Sequence, residues 1–382
     1  MKYRAGKYIK QPLGYKAFIP ETLPPKPAVE LDEKIYALLS ESDRAIAKLD
    51  GITTVLPNPD IFIAMYVKKE ALLSSQIEGT QASLEGILEF DANLKPKEDI
   101  REIKEVINYI NALDYGKKRL EKLPMSLRLI KEIHKILIKG TRGEHKKPGE
   151  FRTSQNWVGP PGASINEADY IPPPPNMVIS AMGELEKFLH SKDIIPPLVK
   201  IALIHAQFET IHPFLDGNGR IGRLLITFYL MWKGILSKPL LYLSYYFKKN
   251  KALYYDMLMK VRNDGAWEKW ITFFLQGICE TSKEAVVTAR DIIVLREEYK
   301  EKIFKHSISS IYAIRLLDLV FDMPLVNIKI VAQRLSVSNV TAIKLVNKFE
   351  TLGILQETTG GKWNKEYINK EYLEIIARGT RE

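Results

Sequence analysis

Cysteine is nearly absent from this 382-residue chain: Cys279 is the sole example, so no intramolecular disulfide can form. Its apolar context, FFLQGICE, points to a buried, inert thiol. Long hydrophobic runs are missing too. The longest uncharged apolar stretch, Leu224 to Trp232, has nine residues before Lys233, against roughly 20 for a spanning helix. The basic start, MKYRAGKYIKQPLGYK, has no continuous apolar stretch behind it and does not read as a secretory signal. No membrane partner and a cytoplasmic location are therefore expected. The common phosphate-binding signatures are also lacking: there is no GxxxxGK[ST] and no HRD and DFG pair, which sets aside P-loop NTPases and protein kinases. Neither an internal repeat nor a low-complexity segment is found.

What is present belongs to a globular protein, with 46% hydrophobic and 27% charged residues. At about 150 residues per domain, the length suggests two or three domains. A net charge of +10 and a pI near 9.2 favour a polyanionic partner, which a nucleotide satisfies as well as DNA does. Mixed-sign runs such as KEDIREIKE and VLREEYKEKIFK read as solvated helix faces.

Prolines at 12, 20, 24, 25 and 27 make the start an extended arm lying over something else. Apolar periodicity then predicts a helix from near Leu31, turn-rich residues Thr54 to Pro59, and a helix stopped by Gly79. A short helix through Leu84, Ile87 and Leu88 follows, then two or three helices from about Ile100 to Ile138, broken at Pro124. Residues 151 to 175 look different, with extended pieces around Trp157 and Tyr170 joined by a glycine and proline turn, as in a hairpin flap. Helical pattern returns over Met177 to Leu189, Pro197 to Ile211 and Ile221 to Ile235, and continues to about Tyr299. Beyond Ser307 the text reads helix, short turn, longer helix and a hairpin turning at Gly360 and Gly361, which is the order of a winged helix-turn-helix.

The chemistry concentrates in HPFLDGNGR, His212 to Arg220, between two apolar-periodic stretches. Gly217 and Gly219 allow a close turn into a helix whose first amides point outward, which is an anion cradle. Asn218 is placed to donate its side-chain amide into the same hollow, and Arg220 and Arg223 share the first helical turn as two guanidinium forks. Asp216 at the edge of so positive a cradle calls for a divalent cation, and Mg²⁺ is commonly held by one carboxylate plus phosphates. Pro213 restricts the backbone after His212, Phe214 anchors the loop, and a neutral imidazole at His212 can take a proton from a hydroxyl.

This run, continued as HPFLDGNGRIGR, resembles the signature of Fic domains and matches it at every specified position. The resemblance implies a mainly α fold: a Fic-type helical core with a β-hairpin flap, a helical N-terminal region and a small α+β winged helix at the C-terminus. The expected domains are 1–110, with the arm and an inhibitory helix, 111–300 for the catalytic core, and 301–382. Implied too is transfer of AMP from ATP to a Ser, Thr or Tyr hydroxyl of a protein target, itself included. His212 would be the base and Asp216 the Mg²⁺ ligand. His212, Pro213, Phe214, Leu215, Asp216, Gly217, Asn218, Gly219, Arg220 and Arg223 would form the nucleotide loop, with Tyr254, Tyr255 and Asn263 at the nucleoside. Val158, Gly159, Tyr170 and Ile171 would form the flap that pairs with the target.

SSQIEG, Ser74 to Gly79, is similar to the family's inhibitory motif. A carboxylate at a helix C-terminus is unfavourable unless a cation faces it. By the resemblance that cation is Arg223, for which Glu78 and the ATP γ-phosphate would compete. A homodimer is implied as well. Two other functions stay open on the residues: a DNA-binding regulator with a nucleotide-sensing core, and a Fic enzyme that removes AMP or transfers another phosphate-containing group.

Overall fold

Local capping signals set the helices of the N-terminal half. In the computed structural model, which describes residues 4–53, 59–160, 162–306, 310–361 and 363–378, Asp32 opens α1 (Glu33–Ile52) by accepting from the Ile35 amide. α2 (Pro59–Ile77) follows, and most of the turn expected at Thr54 to Pro59 lies outside the described residues. Ser83, Asp99 and Ser126 cap α3 (Leu84–Asp91), α4 (Ile100–Leu120) and α5 (Leu127–Leu137) in the same way. Proline at the first helical position starts α6 (Pro175–His190) and α7 (Pro197–Ile211). The core is completed by α8 (Asn218–Trp232), α9 (Leu243–Lys249), α10 (Lys251–Asp264) and α11 (Trp267–Lys305).

α7 is buried on every side from Leu198 to Ile211, its polar residues Lys200, His205, Gln207, Glu209 and Thr210 included, and α8 packs against it. α8 also lies close to α4, where Phe228 fills the space above Gly116: a Cβ there would sit 2.2 Å from the ring. α1 runs along α11, whose 39 residues span about 58 Å at 1.5 Å each. α2 touches α4 and α8 on one side and the C-terminal α12 (Ile311–Asp322) on another. One chain segment thus links the C-terminal region to the loop before α8. α4 runs through residue 110 and α11 through residue 300, so both domain boundaries expected there fall inside continuous helices.

The N-terminal arm is extended as expected, but it is also paired. β1 (Gly6–Lys10) and β2 (Lys16–Pro20) form an antiparallel hairpin with Gly6 opposite Pro20 and Lys10 opposite Lys16. Phe18 is buried and its amide donates to the Ile171 carbonyl at 2.9 Å. The flap departs from a laddered hairpin: Val158 and Tyr170 form a single bridge pair, with N···O distances of 2.8 and 3.1 Å, and a 3₁₀ turn at Ile165–Glu167 lies between them. Proline-rich flanks cannot continue a ladder.

After α12 come β3 (Leu325–Asn327), α13 (Ile328–Leu335), α14 (Asn339–Thr351), β4 (Gln356–Glu357), β5 (Glu366–Ile368) and α15 (Lys370–Ile376). The strands make an antiparallel sheet in the order β3-β5-β4, one strand more than the hairpin expected. Among the described residues, no helix is long and apolar enough to cross a membrane.

Candidate active site

α7 stops because His212 adopts the left-handed conformation (φ 50°, ψ 60°) and Pro213 follows it. A left-handed non-glycine residue is strained and persists only where its surroundings hold it. Arg152 does so from within the protein. Its Nε donates to the His212 carbonyl at 2.9 Å, and its Nη2 donates to Pro173 O at 2.6 Å and to Ile211 O at 3.3 Å. Phe214 stacks on His134, with ring centroids 3.7 Å apart. His134 Nδ1 accepts from the Gly149 amide at 2.9 Å, which assigns the proton to Nε2 for donation to Asp216 O at 3.0 Å.

Asn218 corrects one expectation. Its side-chain oxygen accepts from the Phe214 amide and its nitrogen donates to the Phe214 carbonyl, each at 2.8 Å. The carboxamide therefore holds the loop closed, with its oxygen and one of its two N–H groups committed to Phe214. Gly217 (φ 76°) turns the chain into α8 without a side-chain cap, so the first amides of α8 face the hollow.

Both arginines are buried. Arg220 lies 3.3 Å from Glu105 and 3.4 Å from Asp216. Arg223 donates to Ser74 Oγ at 2.8 Å, to Ser74 O at 2.9 Å and to Glu78 Oε1 at 2.7 Å. Glu78 sits just past the end of α2, with its amide bonded to Ser75 O, and Gly79 (φ 97°) turns the chain away. Its carboxylate lies over the start of α8: a Cβ on Gly219 would be 2.1 Å from Glu78 Oε1. Burial works to raise the Glu78 pKa, but Arg223 outweighs it and holds the carboxyl below its usual value. Arg223, despite its own burial, is raised by Glu78.

His212 is pushed down to about 4, by burial first and then by Arg152 and Arg262. Its Nδ1 is enclosed without a well-formed hydrogen bond, so an imidazolium would place an unpaired donor in the interior. The side chain is a neutral base at physiological pH.

Asp216 offers one carboxylate, beside Arg220, and the described residues hold no cluster of three or more His, Cys, Asp or Glu fit for a metal. Such a donor set suits Mg²⁺ bound together with phosphates rather than a protein-only metal cage.

Other expected residues stand apart. Tyr254 is buried, stacks on Phe247 of α9 at 4.4 Å and bonds His205 of α7 through its hydroxyl at 2.9 Å, so its ring and hydroxyl are both engaged within the core. Tyr255 is partly exposed, and Asn263 Oδ1 accepts from the Tyr8 hydroxyl at 3.2 Å. The Tyr170 hydroxyl is buried on Thr210 O at 2.6 Å under the guanidinium of Arg262, and the Ile171 carbonyl is engaged by β2. Gly159 lies close to Ala168 across the flap. Sequence reasoning missed Arg152, His134 and Glu105. It also missed Glu209, a buried acid on α7 pushed up to about 7 by burial, whose Oε1 has no partner. Only Glu105 carried a signal, and it misled: the run KEDIREIKE reads as a solvated face, yet Glu105 is buried.

The helical core and this loop define a helix start whose free amides open on a hollow, with an imidazole at its rim and a carboxylate lying in its mouth. The chain matches the models "Fic/DOC family N-terminal" over residues 36–118, "Fic/DOC family" over 124–230 and "Protein adenylyltransferase SoFic-like, C-terminal domain" over 295–372. It belongs to the Fic/DOC family.

Among relatives, the protein adenylyltransferase Fic of Aedes aegypti is 30% identical over 263 residues, 67% of this chain and 47% of that protein. That of Drosophila erecta is 32% identical over 220 residues, 54% of this chain and 40% of that protein. The chain spans about half the length of the curated relatives it matches. In fold it is similar to a Fic family protein from Desulfovibrio desulfuricans G20, with TM-score 0.60 and 19% identity, covering 89% of this chain and 97% of that one. It is also similar to a Fic domain containing signaling protein from Bacteroides thetaiotaomicron, with TM-score 0.52 and 18% identity, covering 65% of this chain and 95% of that one.

Proposed function

We propose that the protein is an adenylyltransferase that moves AMP from ATP to a hydroxyl of a protein target and is held back by its own Glu78. His212 takes the hydroxyl proton as the oxygen attacks the α-phosphorus, the bond from that phosphorus to the bridging oxygen breaks, and pyrophosphate leaves. The amides of α8, Arg220 and Arg223 neutralise the phosphates. Asp216 would hold Mg²⁺, which supplies charge neutralisation on those phosphates. The observation that carries the reading is the Glu78 carboxylate at the mouth of the cradle, 2.7 Å from Arg223. An acid lying where anions bind is what competition with a phosphate requires.

The test is incubation with Mg²⁺ and ATP labelled on the α or the γ phosphate. Glu78→Gly is expected to incorporate the α label well above wild type, His212→Ala to incorporate none, and the γ label to stay in solution. Retention of the γ label would favour another transferred group, and equal labelling of wild type and Glu78→Gly would remove the inhibitory role.

The C-terminal helix-turn-helix and its sheet are read as a winged helix. α14 exposes Val340, Ile343, Lys344 and Lys348 on one face, which supports a second reading in which this module also binds DNA. A homodimer and a cytoplasmic setting belong to the same proposal, the latter in keeping with one buried, unpaired cysteine.

A further inference from the structure

Behind the cradle, a third carboxylate ties together parts that the reaction uses separately. Glu105, buried on α4, accepts from Arg220 Nη1 at 3.3 Å and from Thr80 Oγ1 at 2.8 Å, and is ion-paired with Arg142 Nε at 3.1 Å. Thr80 lies two residues beyond Glu78, and Arg142 also donates to the Glu78 carbonyl at 3.4 Å. Two of the three partners of Glu105 therefore belong to, or hold, the turn that carries the inhibitory acid. The third is an arginine of the phosphate cradle.

We propose that Glu105 is a positioning residue that aims Arg220 at the phosphates and latches the turn 78–80 over the cradle through Thr80 and Arg142. The proposal rests on the adenylyltransfer reading and deepens its regulation. Buried Arg220 has two carboxylate neighbours, Asp216 and Glu105. Asp216 is the one a metal would draw on, so Glu105 is the counter-ion that stays with Arg220 when substrate is bound. A buried carboxylate must have its remaining lone pairs satisfied, and here the inhibitory turn satisfies them. Inhibition and phosphate binding thereby share one anchor. Its outer end is open: Arg142 is about half exposed and lines a cleft of about 410 Å³ with Asp99, Arg101, Glu102 and His145, and Glu105, itself almost fully buried, forms part of the same wall. A ligand or partner that engages Arg142 would loosen the turn without touching the catalytic histidine.

Three variants test this. Thr80→Val removes one hydroxyl at nearly constant volume, Arg142→Ala removes the outer partner, and Glu105→Gln keeps shape but removes the charge. In the wild-type background, Thr80→Val and Arg142→Ala are expected to raise self-labelling from α-labelled ATP, Thr80→Val by roughly ten-fold for a lost hydrogen bond to a charged group. Added to Glu78→Gly, neither should raise labelling further, since the latch then holds nothing. Glu105→Gln in the Glu78→Gly background should raise KM for ATP with kcat nearly unchanged, a split that general loss of structure would not produce. If Glu78→Gly labels strongly while Thr80→Val and Arg142→Ala label as wild type does, the latch is refuted and the adenylyltransfer reading stands. If even Glu78→Gly fails to label, that reading falls, and calorimetric titration with ATP and Mg²⁺ still decides the latch. Tighter binding by Thr80→Val supports it, and unchanged affinity refutes it.

Discussion

Consider Glu78→Gly, made in a His212→Ala background so that ATP binds without turnover. In the parent, Glu78 Oε1 lies 2.7 Å from Arg223 Nη2, on a guanidinium whose side chain is 2% exposed beside a carboxylate that is 30% exposed. Removing one member of a fully buried ion pair costs about 3 to 5 kcal/mol, because the other charge is left uncompensated. The cost here is smaller, since Ser74 keeps two hydrogen bonds to Arg223 and Glu78 is partly open to water. About 2 to 3 kcal/mol remains. A γ-phosphate that fills the vacated space recovers this energy, so ATP should bind roughly 30- to 150-fold more tightly to the variant. ADP has no γ-phosphate and should gain little. The backbone cost of the new glycine, about 1 kcal/mol, is common to free and bound protein and cancels. Isothermal titration with ATP and ADP in Mg²⁺ reads both values. Equal gains for the two nucleotides, or none for either, would refute competition at Arg223.

Other expectations follow from the same geometry. His212 has a folded pKa of about 4, below its unfolded value, so it is already neutral at pH 8 and stays so as pH falls through 6.5. The labelling rate of Glu78→Gly should be flat from pH 8 to 6 and fall only below about 5. An acid limb centred near 6.5 would mean that the imidazole is open to water. Gly116→Ala would drive a methyl into the Phe228 ring at 2.2 Å between α4 and α8. It should lower stability by about 1 to 3 kcal/mol through overpacking, measured by denaturant unfolding against Gly183→Ala, where a Cβ meets nothing within 4 Å. For the winged-helix reading, duplex DNA binding measured by anisotropy should weaken steeply with salt and be lost on changing Lys344 and Lys348. Binding indifferent to both changes would remove α14 as the contact.

Much of the fold was legible because its signals are local. Pro197 to Ile211 was readable as one helix from its proline start and recurring apolar residues, and the structure has α7 over those residues. The turn at Gly79 and the helix-turn-helix order were equally short-range. The strands were less so. The N-terminal hairpin consists of five-residue strands rich in lysine, and its pairing with the flap region joins Phe18 to Ile171 across the sequence. Asn218 misled for a different reason: its amide is suited to donate to a ligand, but a partner four residues back, Phe214, takes it first.

The chemical inventory of the loop was readable from the chain, since glycines, a proline and a helix start act on their immediate neighbours. The sequence also settled the two motifs, SSQIEG and HPFLDGNGRIGR, as separate pieces. How the pieces meet was decided by the tertiary fold, and of these meetings only the Glu78–Arg223 pair was implied beforehand, by the family resemblance. The contacts that brace the loop and arm its inhibition reach 60 residues from Arg152 to His212, 82 from His134 to Asp216, 115 from Glu105 to Arg220 and 145 from Glu78 to Arg223. Charges so far apart in sequence have no local preference for one another. They are paired because α2, α4 and α8 bury their apolar faces together, and the polar groups carried inside must then find partners.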